Sequence, residues 1–254
     1  MRGIDNFSRC VTVLEGFPHL TCLTLRNEFR WTEATDKLSR RVALVHLKYL
    51  NASPTILRIC KAPELRDLTL SFLGANADVS ALLSFLAYSP HLCNLKFGFE
   101  NTLNPQGRFT AIFERIPALI CLQISYPSGL ANYVCAINNL IEILNRGVQG
   151  PEGQPLLPHL RRLIILGGNT WSYIHDEIDG GALVDMLENR SRRFCKKDNS
   201  CSPHICAIRP DRCLDFIMLQ GCKQIESEAF LRRLQRLQQH GLILGGSFLP
   251  RGHY

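Results

Sequence analysis

The amino-acid sequence predicts an α/β fold made of repeated units, and three observations carry this prediction. The phrase Pro-x-Leu-x-x-Leu-x-(Leu/Ile/Phe) occurs five times, at residues 18–25, 63–70, 90–97, 117–124 and 158–165. Successive starts at Pro63, Pro90 and Pro117 lie 27 residues apart, and the related segment 45–52 fills the gap before them. A period of about 20 to 29 residues with leucines at offsets 0, 3 and 5 is typical of leucine-rich repeats. The sequence therefore predicts a leucine-rich repeat solenoid, with a curved parallel sheet on the concave side and helices on the convex side.

Each phrase predicts one short strand, because its apolar residues alternate, as in Leu68-Thr69-Leu70. Between the phrases the apolar spacing becomes helical. One helix is predicted around Val79–Leu86, with Asp78 as its N-cap, and another around Phe109–Ile116. The proline that opens each phrase is expected to end the preceding helix and begin extended chain.

The repeats become less regular after Ile124, where helical patterns are predicted over residues 130–144 and 181–189. The last repeat begins at Leu214, and its helix is followed by a closing strand at 242–244. We expect one leucine-rich repeat domain over residues 1–254, with irregular loops near 147–157 and 190–212 and a C-terminal capping helix near 226–240.

Composition narrows the class of protein. The 254 residues are 46% hydrophobic and 20% charged, with neither a signal peptide nor a membrane-spanning apolar run, which predicts a soluble cytoplasmic or nuclear protein. Eleven cysteines are spread over the chain without a close pair, which favours reduced thiols. The net charge of +7 is scattered, so we expect no membrane association and no nucleic-acid binding.

Candidate catalytic and metal-binding residues are few. His19, His91 and His159 share one position in the repeat, which explains them better than a shared metal site does. Four cysteines between Cys195 and Cys213 leave zinc open as an alternative, although their spacing matches no common finger. Residues 175–177 form an acidic stretch without a companion nucleophile, and phosphate-loop or hydrolase motifs are absent. The sequence therefore predicts no enzyme, no cofactor and no metal.

A basic surface is predicted on the last helix. Arg232, Arg233, Arg236 and His240 lie opposite its leucines. A solvated face is the first interpretation, and binding of phosphate or an acidic partner is the alternative.

A partner is expected on the concave face, where the strand residues between the buried leucines point outward. These outward positions include the candidate partner-binding residues Tyr49, Asn51, Asp67, Thr69, Asn94, Lys96, Gln123, Arg162, Ile164, Leu166, Phe216 and Met218. The last two strands offer apolar side chains, which favours that end as the binding hot spot. Alternatively, C-terminal residues cover those side chains as a cap.

The repeats resemble the leucine-rich repeat region of F-box proteins, especially the divergent sets of mushroom-forming fungi. The resemblance lies in FPHLTCLTL, APELRDLTL, LPHLRRLIIL, GGALVDMLENRSRR and FLRRLQRLQQHGLIL, and covers about residues 10–245. Cys222 occupies the cysteine position of a repeat subtype frequent in that group. The resemblance implies a substrate-receptor subunit of a cullin-RING ubiquitin ligase, in which an F-box binds the adaptor and the repeats hold the protein substrate.

The F-box itself is not expected in this chain, because only 19 residues precede Leu20 and they lack its usual start. We therefore expect a non-catalytic scaffold that holds a protein substrate on its concave face. The scaffold would bind the ligase adaptor only if a longer product carries an F-box. The alternative is a free-standing interaction module without a link to a ubiquitin ligase.

Overall fold

A computed structural model describes residues 10–25, 41–73, 76–99, 105–126, 133–146, 156–167, 178–190, 214–220 and 227–246. The protein is α/β, with parallel strands and helices, as the sequence predicts. The chain divides into two compact units, Met1–Thr102 (unit 1) and Leu103–Tyr254 (unit 2), and each is described by itself. The expectation of one continuous domain stays a prediction.

Unit 1 contains a parallel sheet of four strands in the order β1-β3-β5-β6 and a smaller parallel pair, β2 and β4. The strands are β1 Cys22–Thr24, β2 Val42–Ala43, β3 Tyr49–Ala52, β4 Cys60–Lys61, β5 Asp67–Leu73 and β6 Asn94–Phe99. A 3-10 helix, Pro54–Arg58, links β3 to β4, and helix α1, Asn76–Leu86, links β5 to β6.

Unit 2 contains a second run of four parallel strands, in the order β7-β8-β9-β10. They are β7 Cys121–Tyr126, β8 Arg162–Gly167, β9 Phe216–Gln220 and β10 Ile243–Gly246. The helices are α2 Pro105–Glu114, α3 Tyr133–Arg146, α4 Gly180–Arg190 and α5 Glu228–Gln239. Helix α3 packs against α2 and α4, and α5 packs against α4. No helix in the described part of the chain is long and apolar enough to cross a membrane.

The leucines of the repeated phrase form the core of each unit. Equivalent residues of neighbouring strands lie side by side, so that Leu50 pairs with Leu68 and Leu68 with Leu95 in unit 1. In unit 2, Leu163 lies between Leu122 and Ile217 in the same way. All of these side chains are fully buried. The predicted inward register of the strands is therefore confirmed.

Each phrase begins with a turn that has the same hydrogen bond. The N–H of the first leucine donates to the carbonyl of the residue before the proline, as from Leu65 to Ala62 at 3.2 Å and from Leu119 to Ile116 at 3.0 Å. The proline is then the second residue of a four-residue turn, where its fixed φ is favoured. The sequence predicts that the chain passes directly from helix to strand at the proline. In the structure this turn lies between the two elements.

The helices agree with the predicted segments, with shifted starts. Helix α1 begins at Asn76, so Asp78 lies in its first turn and is not its N-cap, contrary to the prediction. Ser227 caps α5 by accepting a hydrogen bond from the Phe230 N–H, and the closing strand is β10. The capping role of α5 stays a prediction. Most of the predicted loops, residues 147–155 and 191–212, lie outside the described residues.

Candidate partner-binding faces

The parallel strands place the outward side chains of each unit in rows. In unit 1, one row consists of Cys22, Tyr49, Asp67 and Asn94, and the next of Thr24, Asn51, Thr69 and Lys96. We call these two rows the unit 1 face. Because alternate residues of a strand point to opposite sides, both rows lie on the side away from the leucine core.

The unit 1 face is polar. The Asn94 side-chain amide donates a hydrogen bond to the Asp67 carboxylate at 2.5 Å, which joins β5 to β6 on this surface. Lys96 is exposed, and the Tyr49 side chain is 36% exposed. The face therefore offers hydrogen-bonding groups and one phenol ring to a partner.

The outward rows of unit 2 are largely apolar. The first row contains Cys121, Arg162, Phe216 and Ile243, the second Gln123, Ile164, Met218 and Gly245, and the third Ser125, Leu166 and Gln220. We call these rows the unit 2 face. Phe216, Met218, Ile164 and Leu166 are half-buried, whereas Ile243 is 60% exposed. Apolar side chains thus extend across three neighbouring strands of this face.

An arginine lies on the aromatic ring of the unit 2 face. The Arg162 guanidinium carbon is 5.2 Å from the centre of the Phe216 ring, within the range of a cation–π interaction. The exposed Arg162 forms no ion pair with another described residue. Its charge is therefore held in place by the ring and remains open to a carboxylate of a partner.

Two glycines of β10 fit closely against β9. A Cβ at Gly245 would lie 3.3 Å from Met218 and from the edge of the Phe216 ring, so these side chains pack alongside the β10 backbone. At Gly246, φ is +85° and a Cβ would lie 2.1 Å from the Leu219 carbonyl oxygen. Only glycine is compatible with this position.

The twelve predicted site residues all lie on the two faces, and none is fully buried. Each unit brings its own members together, six in unit 1 and six in unit 2. The same alternation of the strand residues assigns Ser53, Gly98 and Cys121 to the outward side, yet all three are buried, so the alternation predicts orientation better than exposure. Ile243 is not among the predicted site residues. Its position between Leu242 and Leu244 nevertheless indicates an outward residue of a strand.

The C-terminal strand bears on the predicted alternative of a cap over the apolar side chains. Strand β10 pairs beside β9 and extends the sheet at its edge. It therefore adds Ile243 to the unit 2 face and does not lie across it. Residues 247–254 lie outside the described residues.

The other candidate sites have different outcomes. The His19 ring stacks on His46 at 5.3 Å, its neighbour in the next repeat. Within the described ranges, no group of three or more His, Cys, Asp or Glu side chains is arranged to hold a metal. The cysteines between Cys195 and Cys213 and the acidic stretch 175–177 fall outside those ranges.

The basic surface of α5 is largely paired within the chain. Arg232 bonds to Glu228 at 2.6 Å, and Arg233 bonds to Glu188 at 2.7 Å and to Asp185 at 2.6 Å. The hydrogen bonds to Glu188 and Asp185 raise the pKa of Arg233 further above its ordinary value. These contacts connect α5 to α4 and leave less charge for a phosphate or an acidic partner.

The two faces supply apolar surface, hydrogen-bonding groups and isolated cations, which are the means of molecular recognition. The chain matches no protein-family model, and no curated protein sequence is significantly similar to it.

Proposed function

We propose that this chain is a leucine-rich repeat solenoid that binds a protein partner and catalyses no reaction. The observation that carries the proposal is the row arrangement of outward side chains, above all the apolar side chains of the unit 2 face. Phe216, Met218 and Ile164 lie side by side on neighbouring strands while remaining accessible.

The solenoid part of the proposal is supported by a backbone hydrogen-bond pattern that recurs in both units. At the start of a strand, two successive N–H groups donate to one carbonyl of the preceding repeat. Lys48 and Tyr49 donate to Thr21, Arg66 and Asp67 to Lys48, Arg161 and Arg162 to Ile120, and Asp215 and Phe216 to Arg161. A repeated turn followed by a repeated acceptor is expected when each repeat stacks on the one before it.

The protein-binding part rests on the energetics of the unit 2 face. Burying apolar surface contributes about 25 cal/mol per Å², and aromatic and arginine side chains dominate the hot spots of protein interfaces. Phe216 and Arg162 are already held against each other, so a partner would lose little side-chain entropy in ordering them. We therefore expect Phe216 to be the anchor of the interface.

The ubiquitin-ligase part of the proposal rests on the resemblance of the repeats to those of F-box proteins. In this interpretation the chain is the substrate-recognition part of a cullin-RING ligase, and the bound partner is its protein substrate. The adaptor would be bound by an F-box in a longer product. A free-standing interaction module is the competing interpretation, and it differs in the proteins that should co-purify.

The first experiment tags the endogenous locus at its C-terminus and identifies the proteins that co-purify, together with the size of the tagged product. Adaptor and cullin subunits on a product longer than this chain would support the ligase function. A product of about 28.7 kDa that brings partners but no ligase subunits would overturn it and favour the free-standing module.

The second experiment tests the binding face with matched variants. The double variant Ile164→Thr and Met218→Thr removes apolar surface from the unit 2 face, and Asn51→Thr and Lys96→Thr is the control on the unit 1 face. We expect the first variant to lose at least about tenfold in affinity for the co-purified partner, because apolar contacts are lost. If only the control variant loses the partner, the unit 2 face is not the hot spot.

A further inference from the structure

Two cations converge on one exposed tyrosine in unit 1. The Lys61 ammonium nitrogen lies 4.4 Å from the centre of the Tyr88 ring, and the Arg41 guanidinium carbon lies 5.6 Å from it. Tyr88 is 42% exposed, and both cations are partly exposed. We call Arg41, Lys61 and Tyr88 the basic cluster. None of the three belongs to the unit 1 face.

The backbone holds the basic cluster in place. Strands β2 and β4 pair with Val42 opposite Cys60 and Ala43 opposite Lys61, which brings the start of β2 beside β4. The buried Ser89 hydroxyl donates to the Ala62 carbonyl at 2.9 Å, so the residue after Tyr88 is fixed to the residue after Lys61. The three side chains therefore meet through long-range backbone and side-chain contacts.

The basic cluster carries more positive charge than the described chain neutralises. Neither Arg41 nor Lys61 forms an ion pair with a described carboxylate. The last turn of α1, which ends two residues before Tyr88, contains no basic residue of its own, and a helix C-terminus favours nearby cations. A helix C-terminus supplies only about half a negative charge, whereas the cluster holds two positive charges. Among the described residues, a surplus of positive charge is therefore left at this place on the surface.

We propose that the basic cluster is a second binding site, which takes an acidic segment of a protein through its Asp or Glu side chains. The Arg41 fork matches the two oxygens of a carboxylate, and Lys61 supplies a point charge for a neighbouring one. Nucleic acid fits the cluster less well, because it needs a longer basic track and a free aromatic face for base stacking. Here the cations already occupy the tyrosine ring. The inference is independent of the proposed function of the two faces.

The test is an NMR titration of the full chain with its lysines dimethylated with ¹³C, a change that preserves their charge. The probe is an acetylated hexaglutamate amide, and hexaglutamine is the uncharged control. The Lys61 methyl signal is identified by its loss in Lys61→Arg. We expect hexaglutamate to shift it well before the signal of Lys96, an exposed lysine of the unit 1 face. The shift should weaken as NaCl rises from about 50 to about 300 mM.

Variants separate ligand binding from a structural role. Arg41→Gln should weaken hexaglutamate binding about tenfold, since one charge-assisted contact is lost. Tyr88→Phe should bind as the parent does, whereas Tyr88→Ala should bind more weakly, because the ring positions both cations. The thermal midpoint of each variant is measured alongside.

Three results would overturn the proposal. The first is an equal response of Lys61 and Lys96, which would show nonspecific attraction. The second is a lower thermal midpoint in Arg41→Gln with unchanged peptide binding, which would assign the cations to stabilising α1 alone. The third is tighter binding of a single-stranded oligonucleotide than of hexaglutamate at Lys61, which would assign the cluster to nucleic acid.

Discussion

In unit 1 the outward row of the sheet joins Asp67 to Asn94 by a hydrogen bond, whereas the matching row of unit 2 stacks Arg162 on Phe216. The inward residues show no such contrast, since Leu68 and Leu163 are both fully buried beside leucines. The strand period constrains only the residues that face the core. The outward residues are free to differ, and their chemistry distinguishes the two faces as surfaces for recognition.

The two units also differ in the side-chain hydrogen bonds that connect segments far apart in the chain. In the described part of unit 1, the buried Ser89 hydroxyl bonds to the Ala62 carbonyl, 27 residues away. In unit 2 the half-buried Arg190 side chain donates to three carbonyls, those of Leu144, Leu156 and Leu157. Burial lowers the pKa of Arg190 to about 10, so it remains charged at neutral pH. One arginine thus connects α4 to the end of α3 and to the turn before β8.

The largest expected loss of stability comes from placing a charge at an inward position of a strand, compared with a change at the neighbouring outward position. Leu68→Asp places a carboxylate in the core of unit 1 and should cost on the order of 5 kcal/mol of unfolding free energy. Asp67→Ala, one residue earlier on the outward side, should cost about 1 kcal/mol, because it removes one surface hydrogen bond. Chemical denaturation measures both. Equal losses would show that the assigned register is wrong.

The next largest loss of stability tests the contribution of the Arg190 hydrogen bonds in unit 2. Arg190→Met preserves the apolar stem but leaves three carbonyls without their donor, and should cost about 3 kcal/mol. Arg232→Met is the control, since its ion pair with Glu228 is exposed and should contribute less than about 0.5 kcal/mol. Thermal unfolding with calorimetry measures the difference. A small loss in Arg190→Met would mean that other contacts hold α4.

A third effect is confined to unit 1 and depends on pH. Burial raises the pKa of the Cys60 thiol from its ordinary value of 9.0 to about 12, and the nearby Arg41 charge opposes this increase. The folded state therefore retains a proton that the unfolded state loses above pH 9. The resulting stabilisation is complete below pH 9 and declines as pH rises from 9 toward 12. Between pH 8 and pH 10 the parent should lose about 1 kcal/mol more than Cys60→Ala does.

The unfolding free energies of the parent and of Cys60→Ala are measured by urea denaturation at each pH. Their difference isolates the contribution of Cys60, because the contributions of groups common to both proteins cancel. Parallel pH profiles would show that the thiol ionises equally easily in both states.

The smallest effect concerns the stability of the face variants. Ile164→Thr together with Met218→Thr should change the unfolding free energy by less than about 1 kcal/mol, because both side chains are half-buried and threonine suits a strand. Circular dichroism on heating checks this. A large loss would mean that these side chains belong to the core, and the partner-binding assay would then report on unfolding.

Most of the strand and helix pattern was predictable because it depends on local spacing. Leucines at fixed offsets specified which residues of each strand are buried, and the proline marked the position of each turn. The start of α1 was misplaced because Asp78 suits both an N-cap and a first helical turn. The burial of Cys121 and Ser53 was missed because alternation gives the direction of a side chain and not what covers it.

The sequence by itself therefore determined the repeat, the strand register and the contrast between a polar and an apolar face, since a period of two residues sorts inward from outward positions. Only the tertiary structure decided the contacts between distant segments. Arg190 reaches carbonyls 33 to 46 residues away, and Lys61 and Arg41 meet at Tyr88. Such contacts depend on how segments far apart in the chain pack together, which no local pattern of residues encodes.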